Sequence, residues 1–162
     1  MRRRLFVFSS ALAVVSAASL FDPRAGQAQT EAQFLVTFTE PARDNIRVGR
    51  EMDAKGTASI PSGNHLWVLV HRVKGFANVW WPQGEAVVDP TTKEWDVHVV
   101  FGGTQDIGYE FEVAAITVNK QEHLKLQAYL ENAQTSGNWP PIKMPPTTSA
   151  PVYRRVLKEN HN

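Results

Sequence analysis

The chain has 162 residues, a formal net charge of +1 and no cysteine. This length is typical of a single domain. The lack of cysteine excludes disulfides, thiol catalysis and every cysteine-based metal site, so the fold must be stabilised by packing alone.

The first 28 residues have the three-part layout of a secretory signal peptide. Arg2, Arg3 and Arg4 form a basic start, and an apolar stretch, 5–21, follows. Small residues close the segment at Ala28, which predicts cleavage before Gln29 and a mature domain of residues 29–162. The stretch is too short and too rich in Ser and Ala for a convincing membrane span, so we expect no stable membrane insertion after cleavage.

The leader also predicts where the protein works. Arg3 and Arg4 before Leu5 resemble the start of a twin-arginine export signal. No cofactor motif follows, so we expect the ordinary Sec route and a periplasmic or secreted protein. The whole chain carries +1 and the leader +3, which leaves about −2 on the mature domain. Nucleic acid is therefore not an expected partner.

The mature chain is a series of short apolar or alternating segments separated by Gly and Pro, which predicts strands. The segment 65–73 is almost continuously apolar, which predicts a central strand covered on both faces. In 94–101, Trp95, Val97 and Val99 alternate with polar residues, as in a half-buried strand. The predicted strands are 34–38, 45–48, 51–60, 65–73, 76–81, 86–88, 94–101, 109–118 and 152–158.

A single helix is predicted before the last strand. Asn119 is a suitable N-cap, Glu122 stands at the capping-box position, and Gly137 ends the pattern. We expect the helix to cap an open end of the β-structure, with Leu126 and Leu130 buried there. A proline-rich loop follows and begins at Trp139.

This order of elements favours a mainly β protein, an immunoglobulin-like antiparallel β-sandwich with one helix inserted before the last strand. Trp67 on a central strand precedes Asp106-Ile107-Gly108-Tyr109-Glu110-Phe111, where Phe111 takes the place of the second sheet-bridging Cys. The chain thereby resembles immunoglobulin-like and fibronectin type III-like modules of bacterial exported proteins over residues 33–158. It departs from them in the helix and the proline-rich loop.

A second resemblance rests on three blocks of sequence. They are Leu66-Trp67-Val68-Leu69-Val70-His71-Arg72, Val79-Trp80-Trp81-Pro82-Gln83-Gly84 and Phe111-Glu112-Val113-Ala114-Ala115. They look like a β-sandwich domain of uncharacterised role in bacterial extracellular proteins. The resemblance implies an architecture and an extracytoplasmic setting, but no catalytic residues.

The strongest candidate site is aromatic. Neighbouring strand residues point to opposite faces, so only one of Trp80 and Trp81 can enter the core. An outward ring with hydrogen-bonding neighbours is a common way to hold sugars and peptides. The predicted ligand-binding residues are Arg72, Trp80, Trp81, Gln83 and Trp139. The alternative is that the second indole packs against the helix or the proline-rich loop.

The sequence predicts no metal site and no cofactor. His65 and His71 lie too far apart on one strand to share an ion. His98 and Asp96 lack a third ligand, and His123 is expected to be solvated at the helix start. No catalytic motif is present.

We therefore expect a non-enzymatic exported module that binds a protein or a glycan. The first alternative is a small hydrolase of envelope polymers that uses Asp96, His98, Glu110 or Glu112. The second is a structural or chaperone-accessory protein that adds a partner strand at 45–48 or 86–88.

Overall fold

The computed structural model describes residues 33–159, which form eight strands and one α-helix. The predicted signal peptide lies outside the described residues. Within residues 33–159, no helix is long and apolar enough to cross a membrane. The elements are β1 (Leu35–Glu40), β2 (Ile46–Val48), β3 (Glu51–Ser59), β4 (Asn64–Arg72), β5 (Trp81–Ala86), β6 (Glu94–Val100), β7 (Glu110–Asn119), α1 (Lys120–Ser136) and β8 (Val152–Lys158).

The strands form two sheets, one of three strands in the order β1-β3-β6 and one of five in the order β2-β8-β7-β4-β5. All pairs are antiparallel except β2 with β8. A continuous apolar core draws side chains from both sheets. Its largest members are Phe38, Leu66, Trp95, Phe101 and Phe111. The prediction of a mainly β fold with two sheets and a helix before the last strand is confirmed.

Strand β4 is covered on both faces, as its apolar run predicted. Leu66, Val68 and Val70 belong to the core shared with the three-stranded sheet. Trp67 and Leu69 point the other way and pack beneath α1. The five-stranded sheet is therefore the middle layer of the molecule.

The helix begins and ends as predicted, but its position differs from the expectation. The Asn119 side chain accepts a 3.0 Å hydrogen bond from the backbone N–H of Glu122, and Gly137 ends the helix with a φ of 70°. Leu126 packs on the outer face of the five-stranded sheet rather than at an open end of the sandwich. That face carries Trp67 and Ile116, which only a covering element can remove from water.

The predictions for strands 76–81 and 86–88 are wrong. Residues 73–79 form turns, and a single strand, β5, runs from Trp81 to Ala86. Pro82 lies inside this strand and pairs with Leu69, although the sequence interpretation used it as a terminator. Strand β5 is at the sheet edge, where a residue without a backbone N–H is tolerated.

A tryptophan does lie between the two sheets, but it is Trp95 rather than Trp67. Its ring meets Phe38 edge-on, with the ring centroids 5.3 Å apart. Gly56 is the cross-strand neighbour of Trp95 and leaves room for the indole. Trp67 belongs to the second cluster, beneath the helix.

Candidate functional site

A cleft of about 780 Å³ opens where the edges of the two sheets meet. Strand β5 is joined to β6 at this point, because the Gln83 side-chain oxygen accepts a 2.9 Å hydrogen bond from the backbone N–H of Val100. We call this hollow the tryptophan cleft. It is lined by Arg50, Val70, Arg72, Phe76, Trp81, Pro82, Gln83, His98, Val100, Gly102, Gly103, Gln105, Asp106, Phe111 and Trp139.

Four of the five predicted site residues line the tryptophan cleft: Arg72, Trp81, Gln83 and Trp139. The fifth, Trp80, is 7% exposed and points into the cluster beneath the helix. Its ring lies 5.0 Å from that of His71. The strand alternation thus divides the tryptophan pair, and Trp80 is not part of this surface.

Three aromatic rings border the cleft above an apolar floor. Trp81 meets Phe76 edge-on at 5.4 Å, and Trp139 is 45% exposed. The floor is formed by Val70 and Phe111, both buried. An exposed indole is costly to leave uncovered in water, so this arrangement is typical of a recognition surface.

Some polar side chains of the cleft are held in hydrogen bonds within the protein, whereas others are exposed. The Arg72 guanidinium donates to Asp106 at 2.6 Å and lies 4.0 Å from the ring centre of Tyr109. The backbone N–H of Gly103 donates to the other oxygen of Asp106. Arg50 and Gln105 are exposed at the mouth. Arg72 therefore stabilises the wall of the cleft, while the exposed side chains of Arg50 and Gln105 can contact a ligand.

The proline-rich loop holds Trp139 in place. Backbone hydrogen bonds join Trp80 and Ile142 in both directions, at 2.7 and 2.9 Å. The Tyr129 hydroxyl donates to the carbonyl of Pro140, and the Trp81 indole donates to the carbonyl of Trp139. A loop fixed in this way loses little conformational entropy when a ligand binds.

The residues proposed for a hydrolase are divided between the two sheets, with Asp96 and His98 on β6 and Glu110 and Glu112 on β7. His98 lies between two carboxylates on β3, 3.0 Å from an oxygen of Asp53 and 3.4 Å from one of Glu51. The hydrogen bond that the His98 ring donates to Asp53 raises the pKa of His98. Glu112 lies on the other sheet and pairs with Arg155 at 2.8 Å.

The structure brings together one group that the sequence interpretation separated. His65 on β4, Glu85 on β5 and His123 on α1 place their ligand atoms within 4.8 Å of one another. His123 was expected to be solvated but is 4% exposed, and burial lowers its pKa. The sequence does not show that β4 pairs with β5 or that α1 packs against both strands.

A second hollow, of about 630 Å³, lies between β3 and the turn that precedes β6. Its lining includes Lys55, Asp89 and Asp96, and its one aromatic side chain, Trp95, is buried. It offers no exposed ring on which a ligand could stack. The tryptophan cleft is the stronger candidate for this reason.

No protein-family model matches the sequence, and no curated protein matches it.

Proposed function

We propose that this protein is an exported, non-enzymatic binding module that takes a glycan in the tryptophan cleft. The observation that carries the proposal is the convergence of Phe76, Trp81 and Trp139 around one hollow. The rings come from two distant stretches of chain, 76–81 and the loop after α1, which are joined by the hydrogen bond between Trp81 and Trp139.

The chemistry of the rim favours a sugar over an extended peptide. The C–H faces of a sugar ring stack on indoles, and its hydroxyls need donors and acceptors at the edge of the stack. Arg50 and Gln105 supply such groups beside the rings. A volume of about 780 Å³ lies within the range of small-molecule sites. Binding of a peptide rather than a glycan remains the competing outcome of the test.

An immunoglobulin-like sandwich is part of the proposal, and the strand order supports it. In that fold, strands A, B and E form part of one sheet, and strands C, F and G the other. Here β1, β3 and β6 take the first set of places, and β4, β7 and β8 the second. Strand β5 lies beside β4, where variable-type domains have C′.

The cleft is suited to binding rather than hydrolysis. Glycoside hydrolysis requires two carboxyl groups on opposite sides of the scissile bond. Within the described residues that line the cleft, the acidic side chain is Asp106, and it is held by Arg72 and the Gly103 N–H. A carboxylate fixed in an ion pair is a poor proton donor.

Export is the part of the proposal that rests on the sequence. The basic start, the apolar stretch and Ala28 support a cleaved leader. Expression of the full chain in a bacterium should yield a periplasmic protein whose N-terminus is Gln29. An uncleaved cytoplasmic product would contradict export and leave the cleft to be tested separately.

The cleft is tested by Trp139→Ala with Tyr153→Ala as the matched control. Tyr153 is 43% exposed, close to the 45% of Trp139, and does not line the cleft. Both proteins are screened against envelope-type oligosaccharides by calorimetry. We expect Trp139→Ala to weaken glycan binding about fivefold or more, since stacking of a nucleobase on an aromatic side chain contributes roughly 1–3 kcal/mol and a sugar ring stacks in a similar way. Equal binding by both variants, or binding of peptides alone, would overturn the proposal.

A further inference from the structure

A cluster of three potential ligands lies on the helix-covered side of the sheet, apart from the tryptophan cleft. His65 comes from β4, Glu85 from β5 and His123 from the first turns of α1. None of the three lines the cleft. Two strands and a helix therefore position one group of imidazole and carboxylate atoms.

The distances within the cluster are close to those around a metal ion. One oxygen of Glu85 lies 2.8 Å from Nδ1 of His65 and 3.6 Å from Nδ1 of His123. Tetrahedral Zn²⁺, with bonds of about 2.0–2.1 Å, separates its ligand atoms by about 3.3–3.4 Å. To accept the ion, the first distance must lengthen by roughly half an ångström and the second must shorten by roughly a quarter of an ångström.

His123 already presents an unprotonated nitrogen. The Trp67 indole donates a 3.2 Å hydrogen bond to Nδ1 of His123, so this nitrogen accepts and carries no hydrogen. A metal ion requires a histidine in this form. An ion that takes this lone pair replaces the indole N–H of Trp67, which is also the direct cross-strand neighbour of Glu85.

The ring arrangement defines the movement that binding requires. The imidazoles of His65 and His123 are stacked, with centroids 3.6 Å apart and planes inclined by 13°. A lone pair lies in the plane of its ring, so two parallel rings cannot both point at one ion. One ring must turn about its Cβ–Cγ bond, and half-buried His65 has more room to do so than buried His123.

Charge makes Glu85 the decisive ligand. The positive end of the helix dipole lies close to His123, and Lys120 adds a further positive charge. A divalent ion at two neutral imidazoles would therefore be disfavoured without a carboxylate. Glu85 supplies the negative charge and completes a set of two histidines and one glutamate, which leaves a coordination position for water.

We propose that His65, Glu85 and His123 form a binding site for a divalent transition-metal ion, with Zn²⁺ as the best-fitting ion. The ion would join the start of α1 to the edge hairpin formed by β4 and β5. The site stands independently of the glycan proposal, because it shares no residue with the tryptophan cleft.

The test is titration of the chelator-treated full domain with Zn²⁺ by calorimetry, together with thermal melts. We expect one ion per chain and a rise of roughly 5 °C in melting temperature at saturating Zn²⁺, with no rise in Mg²⁺. His65→Gln and Glu85→Gln should each weaken Zn²⁺ binding at least about tenfold. Loss of a residue that only orients a metal ligand already lowers metal affinity by about tenfold or more, and these two residues are ligands themselves.

The matched control is His98→Gln, which removes the exposed histidine between Glu51 and Asp53. This variant should bind Zn²⁺ like the unaltered protein. Zn²⁺ binding that survives both His65→Gln and Glu85→Gln, or that disappears in His98→Gln, would overturn the proposal. So would the absence of Zn²⁺ binding by the unaltered protein. Trp139→Ala should retain full Zn²⁺ affinity, which would show that the metal site is independent of the tryptophan cleft.

Discussion

The indole nitrogen of Trp81 donates a 3.0 Å hydrogen bond to the backbone carbonyl of Trp139. The bond joins the first residue of β5 to the loop that follows α1, residues 58 positions apart. It sets two aromatic side chains on one rim and leaves the Trp139 ring exposed. The tryptophan cleft is thus built by tertiary contacts and not by one continuous motif.

The loop contact of Tyr129 should contribute to affinity as well as to stability. Tyr129→Phe removes the 2.8 Å hydrogen bond to the Pro140 carbonyl but keeps the ring beside Trp139. We expect a loss of about 0.5–1.5 kcal/mol in unfolding free energy. Glycan binding should weaken several-fold through faster dissociation, because Trp139 is held less firmly. Surface plasmon resonance measures the dissociation rate, and an unchanged rate would show that this bond does not position the rim.

Gly56 is expected to tolerate no side chain. An ideal Cβ at this position would lie 1.9 Å from the Thr37 carbonyl oxygen and 2.5 Å from the Trp95 ring. Gly56→Ala should therefore lower the unfolding free energy by about 3 kcal/mol or more. The control is Gly84→Ala in β5, where the nearest atom is a Val97 methyl at 3.2 Å. Denaturant unfolding compares the two, and equal stability would contradict the packing of Trp95 against Gly56.

Lys158 should stabilise the end of the sandwich although it is buried. Its ammonium donates to the carbonyls of Phe101 (at 2.6 Å) and Gly103, and the side chain is 1% exposed. Burial lowers its pKa, and Asp106 opposes that effect. Lys158→Met leaves both carbonyls without this donor, so we expect a loss of about 2 kcal/mol.

Lys125→Met is the control for this variant, because Lys125 is exposed on the helix and pairs with Glu122. Its unfolding free energy should change by less than about 0.5 kcal/mol. If Lys158→Met unfolds at the same denaturant concentration as Lys125→Met, the two buried hydrogen bonds contribute nothing to stability.

The stability of the domain should depend on the protonation of His98. Asp53 raises the pKa of His98 above its usual 6.5, so the folded state holds the proton more tightly than the unfolded state. This stabilisation is fully present below pH 6.5 and is lost as the pH rises through the raised pKa. NMR titration should give Asp53→Asn a lower His98 pKa than the unaltered protein. An identical pKa in both proteins would exclude Asp53 as the cause.

The sequence predicts well those elements whose signals are local. The alternation of Trp95, Val97 and Val99 predicts β6, and the bounds of β8 match their prediction. Asn119 and Gly137 mark the helix because their caps act within one turn. The sequence did not predict β5 correctly, because Pro82 would end a central strand but is tolerated in an edge strand. Which strand lies at the edge depends on the strand order of the sheet, and no local pattern contains that order.

The sequence predicts several of the residues that line the candidate site, but not the tertiary contacts that bring them together. Alternation predicts that only one of Trp80 and Trp81 enters the core but does not say which, and the position of Trp139 in the proline-rich loop makes it a candidate contact. The sequence does not say that Trp80 pairs with Ile142, which brings the proline-rich loop to β5. The same limit hid the cluster of His65, Glu85 and His123, whose members lie on three elements.

The five tryptophans offer the most direct test of the proposed glycan binding in the tryptophan cleft, since each indole N–H gives its own signal in a ¹⁵N–¹H correlation spectrum. Trp67, Trp80 and Trp95 are buried in the two cores, whereas Trp81 and Trp139 line the cleft. Titration with a binding oligosaccharide should shift the signals of Trp81 and Trp139 and leave the other three in place. Shifts confined to the three buried indoles, or no shift with any glycan, would contradict the account.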